Sequence, residues 1–459
     1  MKYGFKNITS PSPYQVFQRS SKDIADIEVA GEFRGDKDAI VEFRVGGSDW
    51  QAVKIKGEGF SGVAKSVPVG GPYSLDLKIS GKSGHSSTKR IPGLLVGDLW
   101  MLGGQSNMDG YGKLVDLEMP SSLVNAFYYT ETWAVAKDPL CRLCDAIDPA
   151  HCAATDPVER AKASQSDRDF RVSGAGLGVR FGKDLAKATG VPVGLIICSH
   201  GGTSMAQWNP DTKFEGCKSM YGSMLRRVNV AGGKVAGVLW YQGESDSGSE
   251  ETRKVYNEAM HKMIESFRAD IGTKDMPFIY VQLGPFFADD MATRDGWNDI
   301  QNQQLAIESE IKNTAVIPAI DAGLSDAIHL DAPSLRKIGA LMALQARKIK
   351  FDEKNILSGP RPADFEFIDA ARTKLRIKFT GVNGSLRPTS DIRGFSIEAD
   401  GTPIAIRKRV RESVNSIVLT FAESVPKGAN LWYGRGVSPV CNLSDAKGFP
   451  TPVFGPVKL

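Results

Sequence analysis

The sequence predicts a central α/β domain built on five parallel strands, with an all-β domain on either side of it. Three observations lead there. Near both ends, apolar and polar residues alternate in short runs broken by Gly, Pro, Ser and Asp, the period of strands with one face in a core. The middle carries near-continuous apolar runs separated by helically spaced segments, as buried parallel strands and their crossover helices do. A chain of 459 residues also exceeds what one hydrophobic core organises, so several domains are expected.

In chain order, residues 1–93 are expected to form an N-terminal β-sandwich, with alternating runs at 25–29, 40–45 and 73–79. Residues 94–350 form the α/β domain, with strands expected at 94–102, 193–198, 235–241, 278–283 and 315–320. Leu177, Phe181, Leu185 and Ala188 recur at helical spacing before Gly190. Val255, Ala259, Met263, Phe267 and Ile271 do so before Gly272, each glycine standing where a helix closes. Ser334 is placed to cap a last helix through Leu335, Ile338, Leu341 and Ala346. The interval 109–172 shows neither rhythm and reads as an insertion beside a site, because long irregular loops in compact domains are usually functional or mobile. From 351 to 459 period two returns at 374–379, 392–397 and 416–421, which predicts a C-terminal β-domain.

The chemical balance excludes several classes of partner. Lys and Arg number 57 against 53 Asp and Glu, a net charge of +4 over the whole length, so no nucleic-acid partner is implied. The basic run Arg407-Lys408-Arg409-Val410-Arg411 reads as a solvated strand face rather than a polyanion contact. No stretch approaches the roughly 20 apolar residues of a membrane helix, so no membrane partner is expected. Met1 to Lys6 carry charge without the apolar segment of a signal peptide. A secreted or periplasmic enzyme whose signal has been removed is expected, with a cytoplasmic one as the alternative. Of the six cysteines, Cys141, Cys144 and Cys152 crowd around His151. That cluster admits a zinc site, a disulfide staple drawing on Cys217, or free thiols. Cys198 lies in an apolar run and reads as a core thiol.

Ligands of open α/β sheets bind at the carboxyl ends of the strands, and four of the five predicted ends are polar and Gly-rich. The first runs into Gly103-Gly104-Gln105-Ser106-Asn107-Met108 and the second into Ser199-His200-Gly201-Gly202-Thr203-Ser204. The third runs into Gln242-Gly243-Glu244-Ser245-Asp246, and the fifth leads through Asp321 to Asp326-Ala327-Ile328-His329-Leu330. A serine hydroxyl needs a base within hydrogen-bond reach, and that base needs an orienting carboxylate. Among the five histidines, His85 lies in the N-terminal β region, His151 in the cysteine-rich loop and His261 in the middle of a helix. His200 follows a strand but has no carboxylate near it in sequence. His329 has Asp326 three residues earlier, a spacing that lets one turn hold a carboxylate on Nδ1 and leave Nε2 for the serine. Ser106, His329 and Asp326 are therefore the expected catalytic set, with His200 as the alternative base.

These blocks resemble the four of the sialate O-acetylesterase branch of the SGNH hydrolases. The matching segments are Gly104-Gln105-Ser106-Asn107-Met108, Gly201-Gly202-Thr203 followed by Trp208, Trp240-Tyr241-Gln242-Gly243-Glu244-Ser245-Asp246, and Asp326-Ala327-Ile328-His329. Leu431-Trp432-Tyr433 through Gly448-Phe449-Pro450 is similar to the family's C-terminal β-domain. The first block has Gln105 where typical SGNH enzymes have Asp, a departure the branch shares.

The resemblance implies a three-layer α/β/α sandwich, no metal and no cofactor. It implies removal of acetyl groups from a carbohydrate through an acyl-enzyme, with Ser106 as nucleophile, His329 as base then acid and Asp326 as orienter. Backbone N–H groups of Ser106 and Gly202 and the side-chain amide of Gln242 would bind the oxyanion. Gln105, Asn107, Trp208 and Glu244 are candidate substrate contacts. Each has a structural alternative: Trp208 packs in the core, Asn107 braces the turn, and Glu244 and Asp246 hold their loop. The sugar, a sialic acid or a plant or algal polysaccharide such as xylan, is not legible. Two other readings remain, a glycoside hydrolase using Glu244 and Asp246 and a non-catalytic glycan-binding protein. The first leaves Ser106 and His329 unused, and the second is at odds with an intact Ser, His and Asp set.

Overall fold

The computed structural model describes residues 3–81, 84–152, 156–287 and 291–459, with only the backbone helix described at 291–294. Period two at the N-terminus becomes two packed layers of strands. The strand Ile24–Arg34 alternates buried and exposed side chains over nearly its whole length. It pairs with Gly4–Ser10 and Gly59–Pro68, and the second layer is led by Ile40–Val45 and Gly70–Ser80. Ile27, Val29, Phe43, Leu75, Leu77 and Ile79 fill the space between them.

This layer is continuous with the centre of the molecule through one long strand. Strand β1 (Ser86–Gly104) starts as a partner of Gly70–Ser80 and ends as the middle strand of the α/β region. The position expected to separate the two regions, 93/94, therefore lies inside a strand. Strands β2 (Val124–Phe127), β3 (Trp133–Val135), β4 (Val193–Ile197), β5 (Gly237–Tyr241), β6 (Phe278–Gln282) and β7 (Thr314–Pro318) complete the sheet in the order β3-β2-β4-β1-β5-β6-β7. Every neighbour pair in it is parallel except β2 with β3.

The parallel run among the described residues is thus six strands rather than five, inside a larger mixed sheet of 11. The sixth, β2, comes from the stretch expected to be an irregular insertion. Four residues, one of them a buried asparagine, are too few to show a period. Asn125 is tolerated in the sheet because its Nδ2 donates to Tyr14 O (2.7 Å) and Gly93 O (3.1 Å).

Seven α-helices are described: α1 (Ser106–Asp109), α2 (Pro157–Phe170), α3 (Gly178–Thr189), α4 (Met220–Val230), α5 (Glu250–Ile271), α6 (Met291–Glu310) and α7 (Ala332–Lys350). Adjacent residues of a strand point to opposite faces. Trp100 meets Phe181 of α3 edge-on, and α3 packs on α7, where a side chain on Gly339 would strike Leu177 O. Gly103, Trp240 and Tyr280 are neighbours in register on the opposite face, where the Tyr280 hydroxyl donates to Gln304 O of α6 at 2.6 Å. Helices thus cover both faces of the sheet.

Gly190 and Gly272 end α3 and α5 in the left-handed conformation, at φ 71° each. The cap of α7 is Asp331, not Ser334: Asp331 Oδ1 accepts from Ser334 N at 2.8 Å, while Ser334 Oγ accepts from Gly323 N. Pro333 has no N–H to lose and so sits comfortably in the first turn, which lets the helix begin two residues before Ser334.

The C-terminal strands form their own core around Leu375, Ile377, Leu419, Leu431 and Tyr433. It docks on the carboxyl end of β6 through Gln282, whose amide exchanges hydrogen bonds with Val453 N (2.8 Å) and Val453 O (3.0 Å). Among the described residues no helix is long and apolar enough to cross a membrane.

Candidate active site

The site begins where β1 can go no further. Gly104 has φ 120°, and a Cβ on it would lie 2.1 Å from Tyr241 O, so only glycine lets β1 stay against β5 to its last residue. The chain then turns: Gln105 N donates to Tyr241 O (2.8 Å), and Met108 N and Asp109 N donate back to Gln105 O. Ser106 stands first in α1, 8% exposed at the strand ends.

Three other strand-end segments close on this turn. The loop after β4 is tied to it by His200 N donating to Gly104 O at 2.9 Å. A Cβ on Gly201 would come 3.4 Å from Ser106 Cβ and 3.3 Å from Asp109 Oδ2, so a larger residue would crowd the serine. The segment after β5 is reached by Asn107, whose Nδ2 donates to Glu244 Oε1 at 2.7 Å. The same Asn107 holds the loop after β7: Leu330 N donates to its Oδ1 (2.9 Å), and its Nδ2 donates to Ile328 O (3.3 Å). One buried amide therefore grips the residues on both sides of His329.

His329 Nδ1 lies 2.7 Å from Asp326 Oδ2, while Asp326 Oδ1 accepts from Ile328 N (2.9 Å) and His329 N (2.8 Å). Partial burial pushes the Asp326 carboxyl up, but the hydrogen bonds from Ile328 and His329 outweigh it and hold the group below the usual carboxylate range. His329 is the histidine that faces a carboxylate at a strand end. His200 instead faces His151, Nδ1 to Nδ1 at 3.0 Å, and burial lowers its affinity for a proton. Among the described residues the Ser106 hydroxyl and His329 Nε2 have no protein partner; catalytic hydrogen bonds commonly tighten only in the reacting complex.

Several expected contacts take other roles. Gln242 is fully buried, and its Nε2 donates to Asp246 Oδ2 (2.6 Å) and Thr203 O (3.0 Å). Both amide hydrogens are thus committed, and in this conformation neither is free for an oxyanion. Trp208 is 0% exposed, packs edge-on against Trp240 and donates from Nε1 to Thr203 Oγ1 at 2.9 Å. It is a core residue and cannot stack on a sugar. Gln105 is buried, its side-chain amide lying between Thr203 O and Glu244 Oε2 on one side and Gly243 N and Ser245 N on the other. With Asn107 and Glu244 it forms a hydrogen-bonded frame beside the serine.

Asp246 accepts from Met205 N at 3.0 Å. Glu244 and Asp246 are both buried and both engaged, which leaves neither placed to act on a glycosidic bond. Burial pushes the Glu244 carboxyl up to about 7.

Among the described residues no cysteine is joined in a disulfide, and no three His, Cys, Asp or Glu side chains converge as metal ligands. Cys141 instead donates from Sγ to Asp109 Oδ1 at 3.2 Å, in the segment that bears Ser106, where burial raises the Asp109 carboxyl to about 6. A further neighbour has no sequence signal at all: Tyr111 stacks flat on His329, ring centroids 4.0 Å apart and planes 16° from parallel.

Residues 96–348 match the family model of the carbohydrate esterase, sialic acid-specific acetylesterase. The chain is 26% identical over 264 residues to an Arabidopsis thaliana protein described as a "probable carbohydrate esterase", covering 53% of this chain and 88% of that one. It is 23% identical over 352 residues to the human sialate O-acetylesterase, covering 69% of this chain and 65% of that one, so it spans just under two thirds of the human protein. Its fold is similar to the crystal structure of a carbohydrate acetylesterase from Xanthomonas citri, with a TM-score of 0.66, 22% identity and coverage of 98% of this chain and 99% of that one. With more than half its length matched by the family model and the four strand-end blocks gathered around one serine, the chain belongs to the carbohydrate esterase, sialic acid-specific acetylesterase family.

Proposed function

We propose that the protein hydrolyses O-acetyl esters of a carbohydrate with Ser106 as nucleophile, His329 as general base and then acid, and Asp326 as the carboxylate that orients His329. The observation that carries this reading is the Asp326–His329 pair at 2.7 Å, fastened through Asn107 to the turn that bears Ser106. Asp326 accepts the Nδ1 proton and so fixes the tautomer in which Nε2 is the acceptor. Nε2 takes the proton of Ser106 Oγ as that oxygen bonds to the acetyl carbonyl carbon. The resulting oxyanion is met by the backbone N–H groups of Ser106 and Gly202, each worth about 3 kcal/mol by analogy with other hydrolases. The ester bond breaks, the imidazolium returns its proton to the departing sugar oxygen, and the acetyl group stays on Ser106. Water, deprotonated by His329, then releases acetate and restores the serine.

The commitment of Gln242 to Asp246 and Thr203 favours an oxyanion hole of two backbone donors with Gln242 as their support. The substrate is read as an O-acetylated sialic acid or an acetylated plant or algal polysaccharide such as xylan, which a deacetylation screen across acetylated glycans separates. Nitrophenyl acetate should be turned over and nitrophenyl glycosides should not. Ser106→Ala should lose at least about a thousandfold in kcat, and His329→Ala should lose far more than His200→Ala. Retention of activity in Ser106→Ala, or glycoside release without ester release, overturns the proposal.

A further inference from the structure

His329 is held at three places, and only two of them belong to the reading above. Asp326 holds one edge of the imidazole and Asn107 holds the backbone on either side. The third is the face of the ring. Tyr111 lies against it at 4.0 Å and 16°, closer and flatter than most aromatic pairs, which favour tilted or offset geometries.

Tyr111 is delivered there rigidly. Two residues before it α1 ends, with Gly110 N donating to Ser106 O at 3.0 Å. One residue after it, Gly112 is wedged so tightly that a Cβ would lie 2.7 Å from the backbone of Ala332, the first residue of α7. The tyrosine therefore comes from the segment that bears Ser106, is clamped at the start of the helix that follows His329, and lies flat on the imidazole.

We infer that Tyr111 is a positioning residue for the ester hydrolysis, holding the His329 ring in the plane that Asp326 requires and stabilising its cationic form through the tyrosine π face. The inference rests on the proposed role of His329 as the base. In acylation the imidazole becomes an imidazolium, and a cation against an aromatic face is attracted by the ring quadrupole. The benefit is largest when the proton is on the histidine, so the stack acts on the transition state more than on the resting enzyme. Asp326 on its own loop, Asp109 on the segment of Ser106, Arg171 just after α2 and the Cys141 thiol are the titratable and charged groups that bear on this ring pair. They stay in place in every variant below.

The test compares Tyr111→Leu with Tyr111→Phe. Leucine keeps an apolar cover over the imidazole and removes the π face, whereas phenylalanine keeps the face and removes the hydroxyl. Tyr111→Leu should lower kcat on the order of tenfold while KM stays within about twofold. It should also move the acid limb of kcat/KM to lower pH by about half a unit, since the neutral base is then favoured. Tyr111→Phe should restore both. NMR supplies a readout independent of turnover: the His329 ring protons, shielded by the stacked ring, should move downfield in Tyr111→Leu and stay in Tyr111→Phe.

Wild-type kcat and pH profile in Tyr111→Leu, or a loss that Tyr111→Phe does not rescue, overturns the inference. Unmoved His329 resonances in Tyr111→Leu overturn the stack itself. If His329→Ala remains active, the base assignment fails, and the NMR arm still decides the stack on its own.

Discussion

Asn107 is the residue on which the candidate site turns. Its side chain serves Glu244 Oε1, Leu330 N and Ile328 O at once, so truncating it strands buried polar groups on two other segments. Asn107→Ala should lose about 2–4 kcal/mol of stability and should lower kcat more than it raises KM, measured by denaturant unfolding and ester kinetics on the same preparation. An unchanged unfolding midpoint would show that the bracket bears no strain. The sequence shows Asn107 beside a serine and leaves open whether it touches substrate or braces the turn. The difference lies in partners more than 130 residues away along the chain. Trp208 and Gln242 teach the same lesson: residue type suggested a sugar platform and the resemblance an oxyanion donor, and burial with their N–H groups committed inside the protein made both into supports.

Among the elements, the candidate site forms where β1 stops at Gly104, a position that only glycine can occupy. Gly104 and Gly190 provide a matched pair for testing this. Both have positive φ, but a Cβ at Gly104 meets Tyr241 backbone at 2.1 Å, whereas nothing lies within 4 Å at Gly190. Gly190→Ala should cost about 1 kcal/mol, the left-handed penalty alone. Gly104→Ala must also push β1 from β5 and should cost about 3 kcal/mol or more, with loss of ester turnover at temperatures where the chain is still folded. Equal midpoints for the two variants in thermal unfolding would contradict the close approach.

The elements that sequence reading found are those with long, unbroken signals. The five apolar runs correspond to β1, β4, β5, β6 and β7, and α3 and α5 end at the glycines that mark them. β2 was not legible, because four residues with Asn125 among them carry no period, and α7 starts at a cap that its proline, not its serine, allows.

At the scale of the molecule, several carboxyl groups in the α/β region are taken out of water. Burial raises Glu244 to about 7, Asp109 to about 6 and Asp138 to about 7. Each of these groups keeps its proton in the fold at pH values where the unfolded chain has released it. Their linkage therefore runs against the usual carboxylate direction: stability is full below about pH 4 and falls as pH rises toward 7. Above that the folded groups ionise as well and the slope ends. For Glu244 the span from 4.5 to about 7 amounts to up to about 3 kcal/mol. Glu244→Gln mimics the neutral acid, so its stability relative to wild type should rise between pH 5 and pH 7 in denaturant titrations. A pH-independent difference would mean that Glu244 is ionised in the fold.

What the sequence by itself determined is the succession of strands and helices in the middle of the chain and the candidate groups at the strand ends. Apolar periodicity, closing glycines and the Asp326-to-His329 spacing are local properties, written in consecutive residues. What only the tertiary structure decided is which way each residue faces. The sixth parallel strand, the burial of Gln242, Trp208 and Glu244, the absence of a disulfide among the described cysteines, and the tyrosine against His329 all depend on segments that meet through space. Asn107 and Leu330 touch across 223 residues, and no local pattern encodes such a meeting, because packing assigns roles only after the chain has closed on itself.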